Sequence, residues 1–304
     1  MDPLSDVLSL LKPRTYLTAG FDAGGDWAVQ FDDQVGRIKC YAVISGSCFL
    51  SVAATGDPVR LDAGDCFVLP SGRPFWLGSD PGVSAVPAAE VFARPRVAGV
   101  VVHNGGGELY LAGSRFDVDS RNAELLLGAL PPIIHLRGAG EQAAWRWSLD
   151  RLREEVRDDR PGASLMAQHL AHMMLVQALR LYLTEQPGDS VGWFFALADP
   201  KLAVAISAMH AEPGHRWTLV ELACLAGMSR SIFADRFRNR VGETPLAYLT
   251  RWRMMLAAER LATTRDTLVH TARSLGYESE NAFNTAFKRV MGSSPRRYAR
   301  STIA

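Results

Sequence analysis

The sequence predicts an α+β fold: an N-terminal β-barrel, a pair of helices, and an all-α C-terminal domain. Three observations carry this. From about Thr15 to Val102, short apolar runs are broken by Gly, Pro, Asp and Ser, the spacing of a small all-β unit. Residues 141–185 then show two helical stretches, and from Lys201 onward a helical segment repeats itself. The length of 304 residues suits two domains, and 48% hydrophobic with 21% charged residues is ordinary globular composition.

The chain starts MDPLSDVLSLLKPR, with Asp2 and Asp6 where a signal peptide would be basic. The most apolar stretch, Leu165 to Leu183, is interrupted by Gln168, His169, His172, Gln177 and Arg180, so no membrane span is expected. A cytoplasmic protein is the expectation. The four cysteines form no CxxC pair and read as reduced thiols. Cys40, Cys48 and Cys66 fall on strands as small hydrophobes, with a thiol sensor as the alternative.

Strands are expected at Trp27–Phe31, Ile38–Ile44, Cys48–Ala53, Cys66–Leu69, Phe75–Leu77 and Val97–Val102. Ser45-Gly46-Ser47, Thr55-Gly56-Asp57-Pro58 and Leu61-Asp62-Ala63-Gly64-Asp65 supply turns between them. Alternation turns Tyr41, Val43, Phe67, Leu69 and Phe75 inward, with Trp27, Arg73 and Trp76 near the mouth, as the lining of an interior that is either a pocket for an organic ligand or a purely structural core. Arg73 would suit a carboxylate through its planar fork, against the plainer reading of a solvated turn arginine.

Gly46, Asp57-Pro58-Val59-Arg60-Leu61, Ala63-Gly64-Asp65 and Leu69-Pro70-Ser71-Gly72-Arg73-Pro74 together resemble the cupin sensor domain of AraC-type regulators. The resemblance implies a cupin-like β-barrel able to enclose one ligand. Metal-binding cupins carry His just past the Gly-x-Pro step; Phe75 stands there, and Tyr41 holds the matching place in the first motif. Neither can replace an imidazole or carboxylate ligand, so no metal and no other cofactor is expected. A cupin-fold enzyme with a passenger C-terminal domain becomes the rival reading.

Helices are expected over Glu141–Asp158 and Ser164–Glu185, with Ser164 as N-cap and Pro187-Gly188 as stop. The second is apolar nearly all round and must be covered on both sides, which points to a helical dimerisation segment and a homodimer. His169 and His172, at i and i+3, lack a third ligand in view and read as interface residues. The expected effector and dimerisation domain covers residues 1–190, with the barrel about 1–118 and the helices about 120–186; Gly188–Pro200 is the expected hinge.

Charge is divided. Lys201–Ala304 holds 16 Lys and Arg against 8 Asp and Glu, while residues 1–200 hold 17 against 24, so a chain of net +1 is +8 in one part and −7 in the other. The asymmetry points to a polyanion partner for the C-terminal part alone. There Leu222-Ala223, Gly227, Ser229, Phe233, Phe237, Gly242, Pro245 and Tyr248 recur as Thr271-Ala272, Gly276, Ser279, Phe283, Phe287, Gly292, Pro295 and Tyr298. The offset grows from 49 to 50 between the Gly and Ser positions, placing one extra residue in the second turn. Each copy reads as helix, Gly turn, Ser-capped helix, which is the helix-turn-helix whose second member enters a DNA major groove. Pro245–Ala262 joins the copies as one helix; at ~1.5 Å per residue it spans about 27 Å, near the ~34 Å repeat of successive major grooves.

The stretches MSRSIFADRFRNRVGETPLAYLTRWRMMLAAERLA and LGYESENAFNTAFKRVMGSSPRRYAR resemble the AraC/XylS family of bacterial transcription regulators across residues 198–304. The resemblance implies an all-α domain with two helix-turn-helix motifs joined by a long helix, and double-stranded promoter DNA as partner. Ser231, Ala234 and Asp235 in the first reading helix, and Glu280, Asn281, Asn284 and Thr285 in the second, would face bases, behind the caps Ser229 and Ser279. Ala234 and Asp235 depart from the longer or basic residues often found there. Arg230, Arg236, Arg251, Arg253, Lys288 and Arg297 are placed for phosphates, with Arg238 on the same polar face. The expected function is a DNA-binding transcription regulator, read as an activator working with RNA polymerase and modulated by a small-molecule effector. Its rivals are the cupin-fold enzyme and a thiol-based redox-sensing regulator.

Overall fold

Eleven strands and twelve helices are assigned among the residues described by the structure, a computed structural model: 2–32, 34–93, 95–96, 99–118, 127–128, 130–139, 143–158, 160–185, 191–264 and 266–303. They divide into one unit spanning Lys12–Gln186 and another made of Met1–Leu11 with Pro187–Ala304.

In the first unit, β1 (Arg14–Ala23), β3 (Arg37–Ser45), β6 (Cys66–Leu69), β9 (Val100–His103), β10 (Leu109–Asp117) and β11 (Ile134–Leu136) form a sheet ordered β11-β6-β3-β10-β1-β9. A second sheet orders β5 (Val59–Asp62), β4 (Ser47–Val52), β7 (Phe75–Gly78), β2 (Ala28–Phe31) and β8 (Val86–Pro87) as β5-β4-β7-β2-β8. Leu50, Leu61, Phe67, Phe75 and Leu77 join one buried cluster drawn from both sheets, the sandwich core that pays the entropy of ordering the strands. The β3–β10 pairing sets Tyr41 opposite Gly113, and a Cβ at Gly113 would run into the Tyr41 ring. A short helix, α2 (Ala88–Phe92), adds Val91 to the core.

The expected strands at Trp27–Phe31, Ile38–Ile44, Cys48–Ala53, Cys66–Leu69 and Phe75–Leu77 lie within a residue or two of β2, β3, β4, β6 and β7. Of the run at Val97–Val102, residues 97 and 98 lie outside the described residues and the strand is Val100–His103. Strands β1, β5, β8, β10 and β11 went unforeseen. The turn expected over Leu61–Asp65 begins later, because Leu61 and Asp62 close β5. Asp65 makes that turn: its carboxylate accepts from the amides of Asp62 (3.1 Å) and Gly138 (3.0 Å) and meets His135 Nε2 at 2.9 Å. Burial alone would raise this carboxyl, but these partners outweigh it and hold Asp65 below its ordinary value.

Two helices complete the unit, α3 (Ala143–Asp158) and α4 (Ala163–Glu185). Glu141, and Pro187-Gly188 as the stop, lie outside the described residues. Helix α4 begins one residue before the expected cap Ser164, after Gly162 at φ +86. Ala167, Leu170, Ala171, Met174, Leu175, Ala178 and Leu179 form its buried stripe, packed with α3, β1, β6 and β11. Leu165 and Met166 on the other side are exposed.

The second unit opens with α1 (Pro3–Leu11), which buries Leu4, Val7, Leu10 and Leu11 against later helices of its own unit, so these residues group apart from the domain expected over 1–190. There follow α5 (Trp193–Ala196), α6 (Pro200–Ala211), α7 (Leu219–Leu225), α8 (Arg230–Val241), α9 (Pro245–Thr263), α10 (Leu268–Ser274), α11 (Glu280–Met291) and α12 (Pro295–Ile303). Most of the hinge expected over 188–200 is differently built. Residues 188–190 lie outside the described residues, and Trp193, Phe194, Phe195 and Ala196 are buried in α5, which packs on α8. Helix α9 is the shared spine, touching α1, α8, α10, α11 and α12.

Candidate nucleic-acid interface and ligand cavity

The sequence builds two matched helix pairs. Helices α7 and α8 are separated by four residues, α10 and α11 by five, which absorbs the change of offset. In both turns an amide reaches back five residues, Met228 N–H to Ala223 O (2.9 Å) and Tyr277 N–H to Ala272 O (3.0 Å). Ser229 Oγ then accepts from the Ile232 amide and Ser279 Oγ from the Ala282 amide, each cap worth about 1 kcal/mol. Both second helices end at a left-handed glycine, Gly242 at φ +87 and Gly292 at φ +73, where a side chain would be strained. Phe233 and Phe237 are fully buried in α8, and Phe283 and Phe287 in α11. With the phenylalanines pinned inward, the opposite faces are fixed outward.

On α8 and its cap, Ser229, Arg230, Ser231, Asp235, Arg236 and Arg238 are exposed, and Ala234 is half-buried. On α11 and its cap, Ser279, Asn281, Thr285 and Lys288 are exposed, with Glu280 and Asn284 half-buried. Apart from the caps and Arg236, which turns away from the others, each set shares one helix face at i, i+3 and i+4 spacing. Three of the arginines expected at phosphates have other partners. Arg236 Nε donates to Asp199 Oδ2 at 2.6 Å, and that carboxylate is also the N-cap of α6. Arg251 donates from Nε (2.9 Å) and a terminal nitrogen (2.6 Å) to Glu243 Oε1 and lies over the Tyr248 ring. Arg253 donates to the carbonyls of Pro213 and His215. These three guanidiniums brace helices; sequence shows their helix face but not the acceptors folded against them.

Beneath α9, His210 is buried in a polar knot: Nε2 meets Tyr248 Oη at 2.7 Å, Nδ1 meets Asp6 Oδ2 at 3.2 Å, and the ring stacks on Trp252 at 3.8 Å. Burial first, then the Arg251 charge, pushes His210 down to about 3, so near neutral pH the contact with Asp6 is a hydrogen bond between a neutral imidazole and a carboxylate.

The first unit holds a cavity of about 450 Å³, in the range of small-molecule sites. Of the residues expected to line an effector pocket, Trp27 and Tyr41 do so. Val43, Phe67, Leu69 and Phe75 face the same interior but are packed into the core, and Arg73 is exposed on its turn. Alternation identifies a face; it does not say how deep along the strand the packing stays closed. Trp76 is likewise absent from the lining.

Sequence reasoning missed the polar end. Lys39 and Arg37 on β3 and Arg115 on β10 line the cavity, with Gln34 beside them. The signal was present, because Arg37, Lys39, Tyr41 and Val43 alternate onto one face. Lys39 is 7% exposed, and its ammonium lies 5.2 Å from the Phe31 ring centre. Burial, with the Arg115 and Arg37 charges behind it, lowers Lys39 to about 8, while Asp117 pulls the other way. Two thiols are far from the thiolate range: burial pushes Cys48 up to about 12 and Cys66 well above its ordinary value.

Comparison with known proteins divides the chain at nearly the same place but counts the opening helix α1 with the cupin part. A cupin family model matches residues 2–184 and a helix-turn-helix domain model residues 222–301. An AraC-like transcription regulator of Streptomyces lividans is 43% identical over 98% of both chains. The HTH-type transcriptional regulator AlkR of Acinetobacter baylyi is 30% identical over 98% of this chain and 99% of its own. The solved DNA-binding domain of AdpA in complex with a target DNA is 30% identical over 32% of this chain and 87% of its own, with a TM-score of 0.31.

Proposed function

This chain belongs to the AraC-type DNA-binding transcription regulators, with a cupin region ahead of the helix-turn-helix domain, and we propose that it is an activator whose two helix pairs read successive major grooves of a promoter under control of a small molecule held in the barrel. The observation that carries the DNA reading is the pair of capped, phenylalanine-pinned helices, α8 and α11, each presenting a polar face from a unit rich in positive charge. In this reading Ser231, Ala234, Asp235, Glu280, Asn281, Asn284 and Thr285 meet bases, while Arg230, Arg238, Lys288 and Arg297 meet phosphates. Residues 198–304 read DNA, and residues up to about 190 receive the signal and pair two protomers through α4. A signal acts only by binding the arrangements of the two regions unequally. Contact with RNA polymerase goes with the activator role.

The rivals have less support. Tyr41 and Phe75 offer no imidazole at the cupin ligand places, and Cys48 and Cys66, buried and with their thiols pushed up, are poor targets for an oxidant. Salt titration of duplex binding by the intact protein tests the DNA reading. With about 6 phosphate contacts, affinity falls roughly 10³-fold between about 50 and 200 mM salt; a flat response would sink it.

A further inference from the structure

The cavity in the β-sandwich has two unlike ends. One wall is aromatic and aliphatic: Phe21 meets Trp27 edge-on at 5.2 Å between ring centres and Phe92 at 5.7 Å, and Phe31 lies 5.7 Å from Phe92, with Leu77 and Leu111 beside them. The other end is made by the β3–β10 ladder. Its register steps from Val43 opposite Leu111, through Tyr41 opposite Gly113, to Lys39 opposite Arg115 and Arg37 opposite Asp117. One face of one strand pair therefore grades from apolar to cationic within four cross-strand pairs.

The charges at that end do not balance. Asp117 serves both arginines, at 3.9 Å from Arg37 and 3.3 Å from Arg115. Lys39 makes no ion pair among the described residues and has only the Phe31 and Phe75 rings over it. Asp32 sits exposed at the rim and accepts from Gln30. Gln34 is 92% buried on this lining, and its side-chain oxygen has no partner. An amide can be turned to present either its oxygen or its NH₂. A buried ammonium without a counter-charge is costly, and a ligand carboxylate would remove that cost.

We propose that this cavity is the site of a monocarboxylate with an aryl body, its carboxylate on Lys39 with Gln34 beside it and its ring among Phe21, Trp27, Phe31 and Phe92. The proposal rests on reading the barrel as the signal-receiving part of the regulator and gives that signal a chemical class. Burial holds Lys39 below its ordinary value, and a bound carboxylate would hold it charged.

Calorimetric titration of the intact protein with biphenyl-4-acetate and with its neutral isostere biphenyl-4-acetamide tests this. The acid is expected to bind one per chain, about ten-fold or more tighter than the amide near pH 7. In Lys39→Met, which keeps most of the side-chain volume, that preference is expected to vanish while the amide binds as before. Equal binding of acid and amide, binding of neither, or a preference that survives Lys39→Met would overturn the assignment. The comparison on the unaltered protein decides the matter even if the variant does not fold. Duplex binding measured on the same preparation keeps the readings apart, since its loss would count against the regulator and leave the acid–amide comparison standing.

Discussion

Asn281 and Arg230 sit on corresponding exposed helix faces, yet their side chains suit different work. An amide that bonds adenine in bidentate fashion carries sequence information, and a guanidinium on a phosphate carries none. Asn281→Ala is therefore expected to cost about 1–3 kcal/mol on the selected duplex and to relax preference at one base pair. Arg230→Ala should weaken all duplexes alike and reduce the salt slope by about one. Competition binding against single-base variants of the duplex checks both; equal behaviour of the two substitutions would contradict the assignment. His210 supports a second prediction. The unfolded imidazole takes up a proton below about 6.5, whereas the folded one resists until about 3, so this group's contribution is whole above pH 6.5 and declines as pH falls between those values. Asp6, raised first by burial, works in the opposite sense at the acid end of that window. Melting temperature followed from about pH 7 to 4.5 should fall more steeply in the native chain than in His210→Asn; parallel curves would refute it. Residue identities were readable where a repeat fixed their phase, as for Phe233 and Phe283. They were misread where depth mattered: Phe67 and Phe75 face the barrel interior but close the core, while Lys39, two residues from Tyr41 on the same face, lines the cavity.

Elements were legible in proportion to how one-sided their burial is. Strand β4 alternates between buried and half-buried positions, and its run was plain in the sequence. Strand β10 is covered on both faces: Leu109 and Leu111 join the sandwich core, and Phe116 meets His172 of α4 edge-on at 5.2 Å. No alternation survives there, and Ala112-Gly113-Ser114 at its centre suggests a turn rather than a strand. Helix α1 was missed because nine residues hold too few turns to show a period. Helix α4 was found, yet half of its expected cover lies within its own unit, which leaves Leu165, Met166, Met173 and Val176 along the less buried side with His169. Pairing of two protomers along this stripe is the proposed use. Sedimentation should give twice the 33.2 kDa chain mass, and Leu165→Glu with Met166→Glu should shift the protein to monomer. A native chain that sediments as a monomer would remove the idea.

At the scale of the whole chain, the near-zero net charge conceals the organisation, because +8 and −7 lie in different parts of the sequence. Repulsion from phosphate falls on the cupin part, and attraction on the helix-turn-helix part. The spine helix α9, 19 residues long, rises about 28 Å at ~1.5 Å per residue, and it packs on both α8 and α11. If both helices read DNA as proposed, one protomer needs no palindrome to engage two grooves. Footprinting of the intact protein on duplexes selected from a random-sequence library tests this most directly. Each bound protomer is expected to protect two major-groove segments about one helical turn, ~10 base pairs, apart on one face of the DNA, with unrelated sequences. Protection of a single segment per protomer, or of one sequence repeated in both segments of a protomer's site, would contradict it.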